Sequence, residues 1–445
     1  MHSPEAYLDD LFSFITASPT PYHAAHTCAA LLERHGFRLL QERDAWSSLD
    51  RGRYYLLRDD ASLIAFTLAG PLAQGRPLRM AGAHTDSPAL RVKPRPMQVN
   101  QGCAQLGVEV YGGPLLTSWF DRDLSLAGRV SWRTGEGPLQ CSLIDFCRPM
   151  AVIPSLAIHL DREADKGRAI NRQTDLLPLL VQTDETDPPD FPALLHDQLR
   201  RQYPAIGEAE ILDWDLFLYD PHPPARIGAP GNLITGPRLD NLLSCHALIQ
   251  ALVHAGEPLR DALVILNNHE EVGSLSDSGA QGTLLRALLE RLWPEPENRN
   301  RILAGSLFVS VDNAHAVHPN FAGKHDANHL PRLNHGPVIK TNAGQRYATS
   351  GATAALFRLL CRQADVPCQD FVMRNDQPCG STIGPLTAAT IGIAAVDVGV
   401  PQLAMHSIRE TAGVLDSWHL FQVLRCFFMA ADEAIFRPAA CCQPL

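Results

Sequence analysis

Leu78-Arg79-Met80-Ala81-Gly82-Ala83-His84-Thr85-Asp86 is a largely apolar run that stops on a histidine and an aspartate. The same pattern recurs three times. Ala262 to Leu266 leads into Asn267-Asn268-His269-Glu270-Glu271, Ser306 to Val311 ends in Asp312, and Ile391 to Val400 is followed by His406. Short apolar runs bounded by turn residues read as buried strands. In open α/β sheets, groups beyond the carboxyl ends of parallel strands share one crevice. If these four runs lie parallel, that crevice receives two histidines, an aspartate and a glutamate pair. Such an inventory suits metal-assisted hydrolysis.

Around these runs the texture divides the chain. Tyr7, Leu8, Leu11, Phe12 and Ile15 recur at helical spacing, and Ala24 to His35 reads as a second helix. Tyr54 to Ala69 and Leu78 to Ala83 read as strands. From Val108 to Ile158, short alternating segments are separated by Gly112-Gly113-Pro114 and Gly135-Glu136-Gly137-Pro138, a β-rich texture with turns. Thr183 to Pro192 reads as an acidic surface loop, and Asp220 to Asn232 as a Pro/Gly-rich boundary. Strand–helix alternation then resumes, with helices expected over Asn241–His254, Thr283–Leu292, Thr353–Gln363 and Val414–Ala431. The expected architecture is α/β: a mixed-sheet, three-layer α/β/α domain from residues 1–93 and 233–445, with a β-rich domain inserted over 94–232.

The 445 residues are 45% hydrophobic and 19% charged, with a formal net charge of −10. This is ordinary globular composition. No Lys/Arg-rich run offers the electrostatic footprint of a nucleic-acid binder. No apolar run reaches the about 18 residues a membrane span needs, and the amino terminus lacks the features of a secretory signal. The 11 cysteines, odd in number and without a Cys-x-x-Cys, fit reduced thiols and a cytoplasmic protein.

His84 and Asp86 would share a face if the strand continued through both. A ligating histidine commonly gives its other ring N–H to a carboxylate, which would make Asp86 the partner of His84. The side chains of Glu270 and Glu271 would diverge along a strand, leaving one to bind metal and the other to act as base. Asp312 either ligates or caps a helix. Asp240, in Arg238-Leu239-Asp240-Asn241, either caps the helix it opens or bridges two cations. Asp240, Glu271 and Asp312 together would carry three negative charges, which repel unless cations neutralise them. Two divalent cations and one hydroxide would balance the set. Mixed nitrogen and oxygen ligands suit zinc, with manganese or cobalt possible in one site.

These segments resemble a known family, the aspartyl aminopeptidases, cytosolic dizinc exopeptidases with a phosphorylase-like α/β core. The resemblance covers nearly the whole chain. It runs through Gly82-Ala83-His84-Thr85-Asp86-Ser87-Pro88, Ser118-Trp119-Phe120-Asp121-Arg122-Asp123-Leu124, Ala157-Ile158-His159-Leu160 and Ile170-Asn171-Arg172-Gln173-Thr174. It continues with Asn268-His269-Glu270-Glu271-Val272-Gly273-Ser274, His315-Ala316-Val317-His318-Pro319-Asn320, Met373-Arg374-Asn375-Asp376, Cys379-Gly380-Ser381-Thr382 and Met405-His406-Ser407-Ile408-Arg409-Glu410.

The resemblance implies that Asp240 bridges two zinc ions, with Glu271 and His406 completing one site and His84 and Asp312 the other. Glu270 becomes the general base and Asp86 the support of His84. It implies a substrate-side role for His315 and Gly380, and for Lys340 as the receiver of an acidic first side chain. His159 would reach a neighbouring subunit's site from a dimer-forming inserted domain, within a tetrahedral twelve-subunit particle. A cis Asp240–Asn241 peptide is expected. The implied reaction removes N-terminal Asp or Glu from peptides, with no nucleic-acid or membrane partner. The rivals are a neutral-residue aminopeptidase, a metal-dependent deacylase, or a catalytically silent assembly protein.

Overall fold

The computed structural model describes residues 3–46, 49–72, 75–183, 189–257 and 259–430. The Cys441-Cys442 pair, Ala431 at the end of the last expected helix, and part of the acidic loop lie outside the described residues. Its largest sheet has nine strands, in the order Arg38–Leu39, Gly52–Arg58, Ser62–Leu68, Ala262–Asn267, Arg79–His84, Leu307–Val311, Ala394–Gly399, Val338–Thr341 and Gln369–Val372. The four strands drawn from the apolar runs are the central neighbours, and all three pairings among them are parallel. Antiparallel pairings flank them on both sides, so the sheet is mixed.

Alternation along these strands builds three layers, because successive side chains point to opposite faces. Ala262, Val264 and Leu266 face one core while Leu263 and Ile265 face the other. Val309 and Phe308 divide in the same way. The first core is shared with helices Pro4–Thr16, Pro21–Arg34, Leu239–Val253, Gly351–Gln363 and Asp416–Met429. The second is closed by Leu284–Leu292, Pro296–Ala304 and Ile383–Ile391. Every residue of the helix Leu239–Val253 is buried, its polar His246 and Gln250 being paired with Asp10.

A second, six-stranded sheet is antiparallel throughout and runs from Ala89–Asn100 to Glu210–Tyr219 in sequence. Helix Phe191–Gln202 packs beneath it on a separate core. A third sheet joins Ala225–Ile227, Leu233–Gly236, Glu410–Gly413, Pro401–Leu403 and Ala314–His315. Three details differ from the sequence reading. Tyr54–Ala69 is not one strand but the greater part of a hairpin, Gly52–Arg58 and Ser62–Leu68, turned at Asp59 and Asp60, both with positive φ. The helices Phe191–Gln202, Pro296–Ala304 and Ile383–Ile391 were not anticipated, nor was the third sheet. No helix among the described residues is long and apolar enough to cross a membrane.

Candidate metal centre

His84 is the last residue of its strand and sits in register with Asn267 of the next. Asp312 directly follows Leu307–Val311. Glu270 and Glu271 are not in a strand: the chain leaves the sheet after Asn267, His269 takes a φ of 61°, and both acids lie in a 3-10 turn, Glu270–Val272. Asp86 is likewise beyond its strand. His406 comes from the third sheet, just after Pro401–Leu403, and Asp240 from the head of the buried helix. The Asp240–Asn241 peptide is cis.

Potential ligand atoms gather into two triads that share Asp240: His84, Asp240 and Asp312, and Asp240, Glu271 and His406, each within 4.8 Å. The Nε2 of His84 lies 3.7 Å from both Asp240 Oδ1 and Asp312 Oδ1. The Nε2 of His406 lies 3.5 Å from Asp240 Oδ2 and 3.4 Å from Glu271 Oε1. Glu270 joins His84 and Glu271 in a further group of the same compactness. Asp240 Oδ1 and Glu271 Oε1 are buried without a hydrogen-bond partner. Buried polar atoms are nearly always satisfied, so bare carboxylate oxygens facing imidazole nitrogens fit a cation between them.

The surroundings aim these groups. His84 Nδ1 lies 3.0 Å from the backbone oxygen of Asp86 and 3.5 Å from its carboxylate. Donation of Nδ1–H to that carbonyl leaves Nε2 bare for a ligand. The Asp86 carboxylate accepts the backbone N–H of Glu270 at 3.1 Å, that of Glu271 at 3.1 Å, and the Tyr111 hydroxyl at 2.8 Å. Asp86 therefore fixes the glutamate turn as well as the histidine. His406 Nδ1 bonds to Gly113 O at 3.1 Å. Asn313 donates to Leu239 O and to Gln402 Oε1, both at 2.8 Å, tying the Asp312 loop to the Asp240 helix.

The electrostatics of the bare chain are those of a site awaiting positive charge. Burial pushes Glu270 up to about 7, against the pull of His84. Burial likewise raises Glu271 well above the usual range, with His406 opposing. Burial alone would depress His84, but Asp312 and Asp86 beside it hold it well above an ordinary histidine. His406 is penalised by burial too, yet its bond to Asp240 carries it to about 10. Asp312 resists its own burial because Lys340 and His84 keep it well below the carboxylate range. Protons here balance the charge a divalent cation would balance, so cation binding must release protons.

The remaining candidates divide. Lys340 is buried, with its ammonium 3.5 Å from Asp312 Oδ2, 3.3 Å from Asn313 O and 5.1 Å from the centre of the Tyr347 ring. His315 is exposed, its ring 5.9 Å from that of Phe371. Gly380 is exposed, and a Cβ there would meet nothing within 4 Å. His159 is exposed on the antiparallel-sheet side of the chain and is not among the groups gathered round Asp240. Sequence reasoning assigned nothing to Tyr111, Asn313, Gln402 or Glu410. Only Glu410 carried a signal, an acid four residues after His406.

A profile of the family described as aminopeptidase I zinc metalloprotease, M18, matches residues 14–428. A probable M18 family aminopeptidase 2 from Stutzerimonas stutzeri is 53% identical over 423 residues, covering 95% of this chain and 98% of that protein. Its namesake from Pseudomonas fluorescens is 52% identical over 430 residues, covering 96% and 99%. Among solved structures, the Ape4 and Nbr1 complex matches with a TM-score of 0.93 at 36% identity, covering 97% of this chain and 87% of that one. The S. cerevisiae mApe1 dodecamer matches with a TM-score of 0.83 at 28% identity, covering 97% and 98%. Profile, full-length relatives and fold agree: the chain belongs to the M18 aminopeptidases, zinc metallo-hydrolases acting on peptide bonds.

Proposed function

We propose that this aminopeptidase removes acidic residues, Asp or Glu, from the free amino terminus of peptides, using two zinc ions held by the triads that meet at Asp240. The observation that carries this reading is the shared carboxylate, with histidine and carboxylate partners on each side. Bound there, zinc would activate water and polarise the scissile carbonyl. Manganese or cobalt could replace it in one site. Glu270 stands beside this pair and is held by its own backbone N–H to Asp86. It takes the proton of the attacking water and returns it to the leaving amine, a role that its place beside His84 and Glu271 allows. Asp86 keeps Glu270, Glu271 and His84 in mutual register.

Lys340 supplies the local positive charge that a protein of net charge −10 needs to select an acidic side chain. His315 and Gly380 contribute to the substrate side. Residues 94–232 form an inserted dimerisation domain between the two segments, 1–93 and 233–445, of the catalytic domain. The exposed loop bearing His159, flanked by exposed Ile158 and Leu160, extends to a second subunit's site and steadies the substrate carbonyl there. The assembly is a tetrahedral dodecamer in the cytoplasm; the dodecameric form of mApe1 supports the subunit number.

The deciding experiment measures zinc per subunit together with release of the first residue from peptides beginning with Asp, Glu, Leu or Ala. Acidic peptides should be preferred, and Lys340→Ala should abolish the preference more than the neutral rate. One observation favours a rival. Lys340 is 2% exposed and bonded to the Asp312 loop, as a residue that only braces Asp312 would be. On that second reading the enzyme takes neutral residues, and Lys340→Ala depresses all four peptides alike.

A further inference from the structure

Glu410 is 1% exposed, and each of its oxygens is committed. Oε2 accepts the backbone N–H of Asp240 at 2.8 Å, and Oε1 accepts the backbone N–H of His406 at 2.7 Å and Gln402 Nε2 at 3.3 Å. The two residues whose backbones it clasps belong to the same triad, and the third member, Glu271, is bonded elsewhere, to Asp86. Asp240 opens a helix of the main domain, whereas His406 follows a strand of the third sheet. The strand Glu410–Gly413 pairs with Leu233–Gly236 in register Glu410 with Gly236, four residues before Asp240. The separation of the two ligands is therefore set through a single carboxylate.

We infer that Glu410 is a positioning residue that sets Asp240 and His406 relative to one another, and so chiefly assembles the cation site formed by Asp240, Glu271 and His406, reaching the His84 side only through the shared Asp240. This rests on the two-zinc reading above. The reasoning is geometric. Both Asp240 N–H and His406 N–H need an acceptor, and no single neutral amide can supply two oxygens. In Glu410→Gln the amide oxygen would stay where two donors converge, near His406 and Gln402. Its NH2 group would then face the N–H of Asp240, donor against donor, and push that backbone away. Ligand-orienting partners of this kind typically cost about 10–100-fold in metal affinity when lost.

The test is a zinc titration of the purified full-length protein in chelator-buffered solution, with metal content per subunit as the readout. Cobalt-substituted protein is read in parallel by its visible spectrum. Wild type should take up two ions; if it takes up one, the two-zinc reading fails before any variant is considered. Glu410→Gln should bind the His406-side ion about 10–100-fold more weakly, with a changed cobalt spectrum, and the His84-side ion, which shares only Asp240, by a smaller factor; equal weakening of both ions overturns the assignment to one site. The control is Asp416→Asn, which removes another buried carboxylate that accepts two backbone N–H bonds, from Asn334 and Gly336, away from the site. It should lower stability without altering either zinc affinity. Glu410→Asp, which keeps the charge but cannot span both donors, provides the second variant if Gln is not tolerated, and it too should weaken chiefly the His406-side ion. Unchanged binding of both ions in either Glu410 variant overturns the inference. So does a loss in Asp416→Asn that matches theirs.

Discussion

Asp86→Asn separates two jobs that the sequence would have run together. The carboxylate accepts from Glu270 N on one oxygen, and from Glu271 N and the Tyr111 hydroxyl on the other. An asparagine amide has one oxygen. Placed toward the two donors, it keeps those bonds at reduced strength, and its NH2 then opposes the N–H of Glu270. One charge-assisted bond is lost outright, worth ~1.5–3 kcal/mol. At 1.36 kcal/mol per tenfold, that is about one to two powers of ten in kcat if the displacement is felt by the Glu270 side chain. His84 is affected less, because its Nδ1 lies nearer the Asp86 carbonyl, at 3.0 Å, which asparagine retains.

The expected result is a kcat lowered about 10- to 100-fold with zinc content close to wild type. Steady-state kinetics on a peptide substrate, alongside metal analysis of the same preparation, gives both quantities. Two outcomes would refute the reasoning. A kcat within about threefold of wild type would mean that the turn holds itself. Loss of zinc, with activity restored in full by added zinc, would mean that Asp86 acts through His84 alone.

Three more expectations follow from the same geometry. Glu270→Gln should lower kcat by about 10²–10⁴-fold while the zinc content measured by elemental analysis stays unchanged; a near-normal rate removes Glu270 as base. Gly399→Ala would place a Cβ 1.8 Å from the Asp312 carbonyl oxygen, so it should displace that ligand, weaken the His84-side ion in a zinc titration and lower the thermal midpoint. Burial pushes His23 from 6.5 down to about 4. The unfolded chain then binds more protons across that window, so the stability of the neutral ring is lost as pH falls from 6.5 toward 4. Metal-free wild type should lose up to about 3 kcal/mol more than His23→Gln over this range in urea unfolding; parallel pH profiles would contradict it.

The position of a candidate residue was legible in the sequence where it stands at the end of a fully buried strand. His84 and Asp312 terminate apolar runs that are buried throughout, so run length and strand end were both visible. Legibility failed where position depends on short elements. The third sheet includes the two-residue strand Ala314–His315 and the three-residue strand Pro401–Leu403, too brief for any periodicity. His406 could be suspected from its motif, but its approach to Asp240 is made by that sheet. The glutamate pair was expected to continue a strand; His269 at positive φ turns it instead, so that both backbone N–H groups point at one carboxylate. Lys340 is another case. Taken alone it would be a surface lysine, yet it is paired in register with Asp397, and the negative charge of Asp312 lies beside it. Only the fold brings those charges together.

The buried acids of this protein sort by what their oxygens already hold. Asp86 and Glu410 accept backbone N–H bonds on both oxygens, and Asp416 accepts two from the Asn334–Gly336 turn. Asp397 accepts from Thr382 Oγ1 and from Ala348 N, each at 2.6 Å. These carboxylates organise loops, and a cation would have to compete with bonds already made. Asp240 Oδ1 and Glu271 Oε1 hold nothing, though both are buried. Burial and acidity are common to all six residues, so neither property alone singles out the proposed ligands. Unsatisfied oxygens set Asp240 and Glu271 apart, because leaving a buried acceptor bare costs about 1–3 kcal/mol, more when it is charged. The fold sustains that cost only where another partner removes it. The same distinction supports the proposal that Glu410 belongs with the scaffold and Asp240 with the metal, although the two are joined by a hydrogen bond.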